Sequence, residues 1–443
     1  MRLYSIITLL FVFFALISCN QTNSDFQKEA QNPELVHKSV KKITDIIVYD
    51  IFPPMIASRI YAYSTIAGYE ALRPGNLQYS SLAGQIKGFT LPPQPETGKE
   101  YCYPLASSQA MMMVGKKFTF SDEEMEKYIT QIHADYKQLN MPEDVYERSI
   151  KYGEAVAAHV LAWADKDNYK QSRTFPKYTI NPDPATWKPT PPMYADAIEP
   201  HWNKIRSLTL DSAAQFKPVP PTKFSTDKNS AFYKAAYEVY TIGKTNQAVT
   251  DSSAWFWDDN ALAMQVEGHF NFTTKKISPG GHWLNITNIA AHKAKLDMMQ
   301  SMEAYTMVAI GLFDGFISCW DEKYRSCLIR PETYITQYID KNWIPVLQTP
   351  PFPEYTSGHS VVSGASSTIL TNLLGDNFSF TDSTEVYCKQ APRTFSSFNE
   401  AAKQASISRL YGGIHYRAGI EVGLEQGQAI GKYVLGKVVT KKK

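Results

Sequence analysis

The sequence predicts an all-α fold, and two observations support this prediction. Stretches with apolar residues at helical spacing recur along the 443 residues, whereas alternating strand patterns are scarce. Hydrophobic residues make up 44% of the chain and aromatic residues 13%, which is enough to bury a large core. We therefore expect one helical domain over residues 41–443.

The predicted helices follow from this periodicity and from Pro and Gly punctuation. A long, small- and Met-rich helical stretch runs from Trp283 to Trp320, with a break expected near 311–315. Ser-Asp-Glu-Glu at Ser121 is typical of a capping box, and Gly375 is expected to end the helix that follows Ser360. The remaining helices are expected in two segments of 41–72 separated by Pro53-Pro54, and at 106–117, 121–138, 143–164 and 230–242.

Residues 167–223 differ in composition from the rest of the chain. Ten prolines within them preclude long regular structure. The segment has too few apolar runs for a core of its own. We therefore predict a long surface excursion over the helical body.

The N-terminus is typical of an exported protein. Met1-Arg2 and the apolar run 3–17 form a signal sequence, and the box that ends at Cys19 resembles a bacterial lipoprotein cleavage site. Residues 1–19 would then be a lipoprotein signal peptide that is cleaved so that the lipidated Cys19 becomes the mature N-terminus, and 20–40 would be a polar tether to the membrane. A signal anchor and a non-lipidated signal peptide are the alternatives. The expected location is a membrane-anchored lipoprotein, periplasmic or on the cell surface.

Net charge and cysteine content limit the possible partners. A formal charge of +2 implies no nucleic-acid-binding tail. Apart from the N-terminal run, no stretch is long and apolar enough to cross a bilayer. Cys102, Cys319, Cys327 and Cys388 permit three disulfide pairings, and buried free thiols are the alternative.

Three motifs carry the candidate chemistry, and each occurs once. They are Lys323 followed after six residues by Arg330-Pro331, then Ser357-Gly358-His359, then Ser408-Arg409 followed after five residues by His415. The second motif begins a predicted helix, where unpaired N–H groups and the helix dipole favour an anion. Three cations, a hydroxyl and a glycine N–H together match the oxygens of a tetrahedral or trigonal-bipyramidal oxyanion.

The three motifs, in this order, resemble the signature of the vanadium-dependent haloperoxidase and type 2 phosphatidic-acid-phosphatase superfamily. W-x-x-K, which ends at Lys323, and P-P-F-P-x-Y-x-S-G-H, which ends at His359, are similar to the soluble haloperoxidase branch. The resemblance implies a helical-bundle enzyme with its site in residues 250–438. It also implies a vanadate cofactor, or phosphate as substrate or ligand.

The resemblance implies a role for each motif residue. His415 would bond the vanadium of vanadate, or attack phosphorus in a phosphatase. His359 would be the acid–base catalyst, and Lys323 would polarise bound peroxide. The oxyanion itself would be held by His415 together with Lys323, Arg330, Ser357, Gly358 and Arg409.

Further residues match the surroundings of the family site. Trp320 and Phe352 match positions on the halide side, with core packing as the alternative. Asp258 and Asp259 belong to an acidic stretch that in the family often holds an active-site arginine, and Asn260 is a third candidate. His282 is interpreted as a possible cap of the helix that contains Trp283.

Two positions depart from the family pattern. The family usually has an Asp four residues after the ligand histidine, where this chain has Gly419, with Glu421 two residues further on. The His415 ring therefore lacks the acid that orients it in the family, and a missing partner would weaken ligand affinity. Thr356 replaces the usual proline before Ser357, which is expected to loosen the loop.

Three functions are consistent with these features. The first is a vanadate-dependent haloperoxidase that oxidises halide with hydrogen peroxide. The second is a phosphomonoesterase that uses His415 as nucleophile in the same pocket. The third is a non-catalytic surface lipoprotein, which predicts no convergence of the five basic side chains. Peroxide and halide, or a phosphate ester, are thus the expected small-molecule partners, with membrane attachment through the N-terminal lipid only.

Overall fold

The computed structural model describes residues 25–242, 247–261, 263–267 and 270–442. It confirms the all-α class: strands are few and short in this part of the chain, and helices dominate. The strands form two antiparallel hairpins, β1 (Met264–Glu267) with β2 (Phe270–Thr273) and β3 (Phe380–Asp382) with β4 (Arg393–Phe395). The helices are α1 (Phe26–Ala30), α2 (Glu34–Tyr49), α3 (Pro54–Leu72), α4 (Tyr103–Phe118), α5 (Asp122–Lys137), α6 (Glu143–Ala164), α7 (Tyr169–Ser172), α8 (Ala231–Ile242), α9 (Gln247–Phe256), α10 (Pro279–Ala294), α11 (Met298–Ser326), α12 (Pro331–Tyr338), α13 (Gly358–Leu374), α14 (Phe398–Tyr411) and α15 (Arg417–Lys437).

Helix boundaries follow the local signals in most places. Pro53 and Pro54 separate α2 from α3, because a proline is accepted in the first turn of a helix but not in its interior. Gly375, with φ of 103°, ends α13 as predicted. The predicted signal sequence and lipidated Cys19 lie outside the described residues. Within the predicted tether, residues 26–30 and 34–40 are helical, and they bury Phe26, Val36 and Val40.

Two local predictions are wrong. The long stretch before Trp320 breaks at Lys295, whose φ is 53°, and not near 311–315. Gly311 instead lets α13 approach α11, since a Cβ there would lie 2.5 Å from Ile369 Cδ1. Ser121 does not cap α5, because its hydroxyl donates to Asp50 instead.

Residues 167–223 form the predicted excursion over the body. They contain only the short α7 and a 3₁₀ turn at Trp202–Lys204 among regular elements. Trp187 and Trp202 are completely buried and pin the segment to the helices. The buried Asp314 of α11 also accepts hydrogen bonds from the Leu208 and Thr209 amides, at 2.7 and 2.8 Å.

Helix α11 lies at the centre of the fold and leads to the site. It packs against α3 on one side and against α13 on the other. In the described residues it is the one helix long and apolar enough to cross a membrane, yet that apolar stretch is entirely buried inside the protein. Helix α13 crosses α15 at very close range, since a Cβ at Gly427 would lie 1.9 Å from the Val361 carbonyl oxygen. This packing fixes the start of α13.

The four cysteines in the described region are free thiols. Cys319 lies buried in α11 and contacts the Thr356 carbonyl at 3.5 Å. The Cys327 sulfur lies 2.7 Å from the Tyr178 hydroxyl. Of the two alternatives that the sequence allowed, disulfides or free thiols, the structure shows free thiols.

Candidate active site

The five predicted basic residues converge at one end of the central helices. Lys323 lies in the last turn of α11, and Arg330 is the N-cap residue of α12. His359 lies in the first turn of α13, Arg409 near the end of α14, and His415 in the turn between α14 and α15. Gly413, with φ of 78°, lets the chain reverse in that turn.

Lys323 and Arg330 are completely buried and are held by backbone carbonyl groups. Lys323 Nζ donates to the carbonyls of Pro353 and Glu354, each at 2.9 Å. Arg330 Nε donates to Phe352 O, and its Nη1 donates to Ile414 O, both at 2.8 Å. The motif loop before α13 therefore orients both cations.

The charge of this cluster is not neutralised by ion pairs. Among the described residues, Lys323, Arg330 and Arg409 form no ion pair with a carboxylate, and the buried Nη2 of Arg330 has no hydrogen-bond partner. Burial lowers the pKa of Lys323 to about 7 and that of Arg330 to about 10. Because burying an uncompensated cation is costly, this arrangement favours a bound anion.

Arg409 approaches the cluster from α14. Its Nε donates to the Ser408 hydroxyl at 3.0 Å, and its Nη2 donates to the Ala254 carbonyl at 3.1 Å. Burial lowers its pKa, and the nearby Asp258 and Asp259 oppose this shift. Asp258 pairs with Lys276 and Asp259 with His282, and in the described residues neither acid forms an ion pair with Arg409.

The start of α13 supplies neutral donors to the cluster. The Ser357 hydroxyl caps the helix by accepting a hydrogen bond from the Ser360 amide at 3.3 Å. The amides of Gly358 and His359 lie in the first turn, where helix geometry provides no partner within the helix. A Cβ at Gly358 would lie 3.5 Å from Trp320. The loop thus presents N–H groups next to the three cations.

His415 is oriented by a carboxylate that the sequence did not identify. Glu354 Oε1 accepts hydrogen bonds from His415 Nδ1 at 2.7 Å and from the Tyr416 amide at 3.1 Å. With Nδ1 as donor, Nε2 keeps its lone pair, which lies 3.1 Å from Arg330 Nη1. Burial, then the Arg330 and Lys323 charges, lower the pKa of His415 well below its usual value, so the ring is uncharged at neutral pH.

Glu354 takes the place of the missing acid at Gly419. A Cβ at Gly419 would lie 2.3 Å from Glu354 Oε1, so glycine is required for this carboxylate to reach His415. Glu421, the other candidate, is exposed and pairs with Arg417 at 3.4 Å. The carboxylate that orients His415 is therefore supplied by Glu354 in the loop before α13, and not by residue 419.

The loop is also tied down at Thr356. The Thr356 hydroxyl donates to Gln426 Oε1 at 2.7 Å, which connects the loop to α15. The loosening expected from the loss of proline is thus offset by a buried hydrogen bond.

His359 lies next to Asp259. Its Nε2 is 3.6 Å from Asp259 Oδ2 and has no hydrogen-bond partner in the described part of the protein. Burial and the Arg409 charge lower the pKa of His359 to about 4. At neutral pH the ring is therefore uncharged and able to accept a proton.

The site opens into a cavity of about 40 Å³, large enough for a few water-sized groups. Its lining includes Gly358, His359, Arg409 and His415, together with the two predicted aromatic residues. The rings of Trp320 and Phe352 are 4.9 Å apart, and Lys323 Nζ lies 5.1 Å from the Phe352 centroid. Both aromatic residues thus line the cavity as well as packing together.

The donor set fits vanadate. It offers one uncharged imidazole nitrogen, fixed cations without ion-pair partners, a free guanidinium N–H and the N–H groups of a helix start. A tetrahedral oxyanion anchored by one nitrogen needs this combination. All five predicted basic residues lie in this site, and behind them lie Glu354 and Asp382, which the sequence did not indicate, and His282, which was expected only to cap a helix.

Comparisons with known proteins agree with this geometry. A family described as "VCPO second helical-bundle domain" matches residues 303–441, the segment that carries all three motifs. No curated protein matches the chain.

Solved structures extend the likeness to nearly the whole chain. The crystal structure of the first bacterial vanadium-dependent iodoperoxidase is 48% identical, with a TM-score of 0.88, over 93% of this chain and 98% of that one. Two bacterial vanadium-dependent chloroperoxidase structures are 14% identical, each with a TM-score of 0.66. The apo form matches over 88% of this chain and 95% of its own, and the holo form over 95% and 96%.

The chloroperoxidases share the fold, whereas the iodoperoxidase shares both fold and sequence over almost the full length of both chains. This chain therefore belongs to the family of vanadium-dependent haloperoxidases and is an enzyme.

Proposed function

We propose that this enzyme oxidises iodide with hydrogen peroxide, with vanadate held by the basic cluster. The observation that supports this proposal is the convergence of three buried, unpaired cations on His415, whose Nε2 lone pair is kept by Glu354. The 48% identity to an iodoperoxidase supports iodide as the halide.

The residues that would hold vanadate are those already described. His415 Nε2 would bind vanadium, while Lys323, Arg330 and Arg409 would bind its oxygens, with the Ser357 hydroxyl and the Gly358 amide. Bound vanadate supplies a Lewis acid that activates peroxide. Held on fixed donors, the oxyanion needs little reorganisation of the protein during the reaction.

His359 acts as the base in this proposal. An uncharged ring with a buried, unpartnered Nε2 is suited to take a proton from incoming hydrogen peroxide. In the overall reaction the O–O bond breaks and iodide loses two electrons. Hydrogen peroxide, iodide and one proton thus give hypoiodous acid and water.

The aromatic side of the cavity suits the halide. Trp320 and Phe352 provide polarisable surface next to the Lys323 ammonium, whose Nζ lies 5.7 and 5.1 Å from the two ring centroids. Iodide is large, polarisable and weakly hydrated, so it loses less hydration than a smaller halide on entering such a site. We therefore propose that these residues form the halide side.

We further propose that the mature protein is an exported lipoprotein anchored through Cys19, with the residues between Cys19 and α1 as the link to the folded body, because α1 and α2 already bury Phe26, Val36 and Val40 in the core. The apolar run before Cys19 supports this proposal. Labelled palmitate should enter the full chain and fail to enter the Cys19→Ala variant. Equal labelling of both would contradict it.

One paired assay tests the catalytic proposal. The protein lacking residues 1–19 is stripped of bound oxyanion, then assayed with and without orthovanadate for iodide and bromide oxidation and for phosphate release from an aryl phosphate. We expect vanadate to switch on iodide oxidation, and we expect this to be lost in His415→Ala.

The same assay decides between the alternatives. Phosphate release that vanadate inhibits would support the phosphomonoesterase instead. No activity in either arm, together with no binding of vanadate, would support a non-catalytic protein. The Glu421→Gln variant, which changes only an exposed ion pair, is the matched control.

A further inference from the structure

Behind His359 and the predicted Asp259 lie two buried side chains, His282 and Asp382, to which the sequence assigned no role in the site. His282 Nδ1 lies 2.8 Å from Asp259 Oδ1, and its Nε2 lies 2.8 Å from Asp382 Oδ2. All three side chains are buried, with 0 to 1% of their surface exposed. Asp382 is fixed in turn by the Thr384 amide, which donates to Oδ1 at 2.9 Å. Ser278, not His282, caps this helix.

We propose that His282 and Asp382 are positioning residues that act on His359 through Asp259. A ring flanked by two carboxylates at hydrogen-bond distance can donate to both only when both of its nitrogens carry a proton. The imidazolium then fixes the charge and the direction of Asp259, whose second oxygen faces His359 at 3.6 Å. This inference rests on the proposed function, since His359 is the base there.

The surroundings of His282 support a positive charge on the ring. Its ring stacks on Trp257, with centroids 4.5 Å apart and planes inclined by 20°, an arrangement that favours a cation. Burial lowers the pKa of His282, but Asp259 and Asp382 more than offset this and raise it well above its usual value. The other charged groups nearby are Asp258 paired with Lys276, Arg409, and Glu385, whose pKa burial raises to about 8.

A metal ion is the competing explanation for these side chains. Asp259, His282 and Glu385 offer three ligand atoms within 4.8 Å of one another. Both ring nitrogens, however, already face a carboxylate oxygen at 2.8 Å, so neither is left free for coordination. The geometry points to an ion-paired histidine.

The first test measures catalysis in Asp382→Asn. Asp259 and His282 lie between Asp382 and His359, so this substitution does not touch the proposed base directly. Loss of a supporting partner typically costs 10–100-fold, and we expect kcat to fall by about that factor with KM for iodide changed less than about twofold. Because the effect passes through Asp259, the double variant Asp259→Asn with Asp382→Asn should be no slower than Asp259→Asn alone.

A matched control separates positioning from stability. Asp314→Asn also neutralises a fully buried carboxylate, nine residues and about 13 Å along α11 from Lys323. It is expected to lower thermal stability without changing kcat. An equal loss of kcat in Asp314→Asn and Asp382→Asn would overturn the proposal. So would a double variant of Asp259 and Asp382 whose loss of kcat is the product of the losses in its two single variants.

The second test needs neither vanadate nor activity. The ¹⁵N spectrum of histidine-labelled, vanadate-free protein should show one ring, absent in His282→Gln, that remains doubly protonated at pH values well above the ordinary histidine pKa of 6.5. In Asp382→Asn this ring should titrate at lower pH. A singly protonated ring at pH 7, or a stoichiometric divalent metal found by elemental analysis, would refute the inference even where the haloperoxidase activity holds.

Discussion

The replacement of a family aspartate by Glu354 gives the sharpest prediction. In this protein the carboxylate that orients His415 comes from the loop before α13, and Gly419 leaves the space for it. Removing the carboxylate from residue 354 should therefore weaken vanadate binding. Adding one at residue 419 should harm the protein unless Glu354 is shortened at the same time.

The expected magnitudes follow from the contacts. Glu354→Ala removes the buried 2.7 Å hydrogen bond to His415, and a hydrogen bond to a charged group contributes about 1.5–3 kcal/mol. Loss of such support typically lowers ligand affinity by 10–100-fold, which is about 1.4–2.8 kcal/mol. Glu354→Gln keeps an acceptor oxygen but loses the charge, so its effect should lie near the lower end of that range.

Gly419→Asp alone should be strongly destabilising. Its Cβ would lie 2.3 Å from Glu354 Oε1 and 3.1 Å from Oε2, and overpacking of this kind costs about 1–3 kcal/mol. Combined with Glu354→Ala, the clash is removed and the new carboxylate lies close to His415. The double variant should therefore bind vanadate more tightly than Glu354→Ala and be more stable than Gly419→Asp.

Calorimetric titration of the stripped protein with orthovanadate measures the affinities, and thermal unfolding measures the stabilities. Glu421→Gln is the matched control, because Glu421 is the other acid near His415 in the sequence yet pairs with Arg417. The reasoning is refuted if Glu421→Gln weakens binding as much as Glu354→Gln does. It also fails if the double variant is worse than both single ones.

Three other predictions concern packing, pH and anion affinity. Gly427→Ala should lower the free energy of unfolding by about 3 kcal/mol or more in chemical denaturation, because its Cβ would overlap the Val361 carbonyl. The control Gly436→Ala has open space around it and should stabilise α15 slightly. The pKa of His359 is lowered to about 4, so its base form persists in mild acid. We therefore expect kcat to stay constant from pH 7 to 5 and to fall near pH 4. A fall centred near pH 6.5 would contradict this effect of burial. Arg330→Lys should weaken phosphate binding to the stripped protein at least tenfold, because lysine cannot donate to Phe352 O and Ile414 O and still present a fixed N–H, as Arg330 Nη2 does, to the anion. Unchanged affinity in calorimetry would place the anion elsewhere.

Much of the fold was predictable because its signals are local. Pro53-Pro54 and Gly375 end helices through backbone geometry alone, and the structure has those boundaries. The break predicted near Gly311 was wrong because its cause is tertiary. There glycine serves the contact with Ile369 on another helix, which no local pattern records.

The candidate site also has one part that the sequence predicted and one part that depends on tertiary contacts. Spaced motifs identified the basic residues, and the structure brings them together. The carboxylates behind them could not be assigned from local patterns, because their partners are distant in the sequence. Glu354 is 61 residues from His415, and Asp382 is 100 residues from His282. One signal was present in the sequence: a missing acid at Gly419 together with an acid inside the motif loop at Glu354.

The most direct test of the central claim is a crystal structure of the protein soaked in orthovanadate. We predict tetrahedral or trigonal-bipyramidal density bonded to His415 Nε2, with its oxygens in contact with Lys323, Arg330 and Arg409. An anion bound away from His415, or these three cations turned towards carboxylates of the protein with no anion between them, would contradict the account.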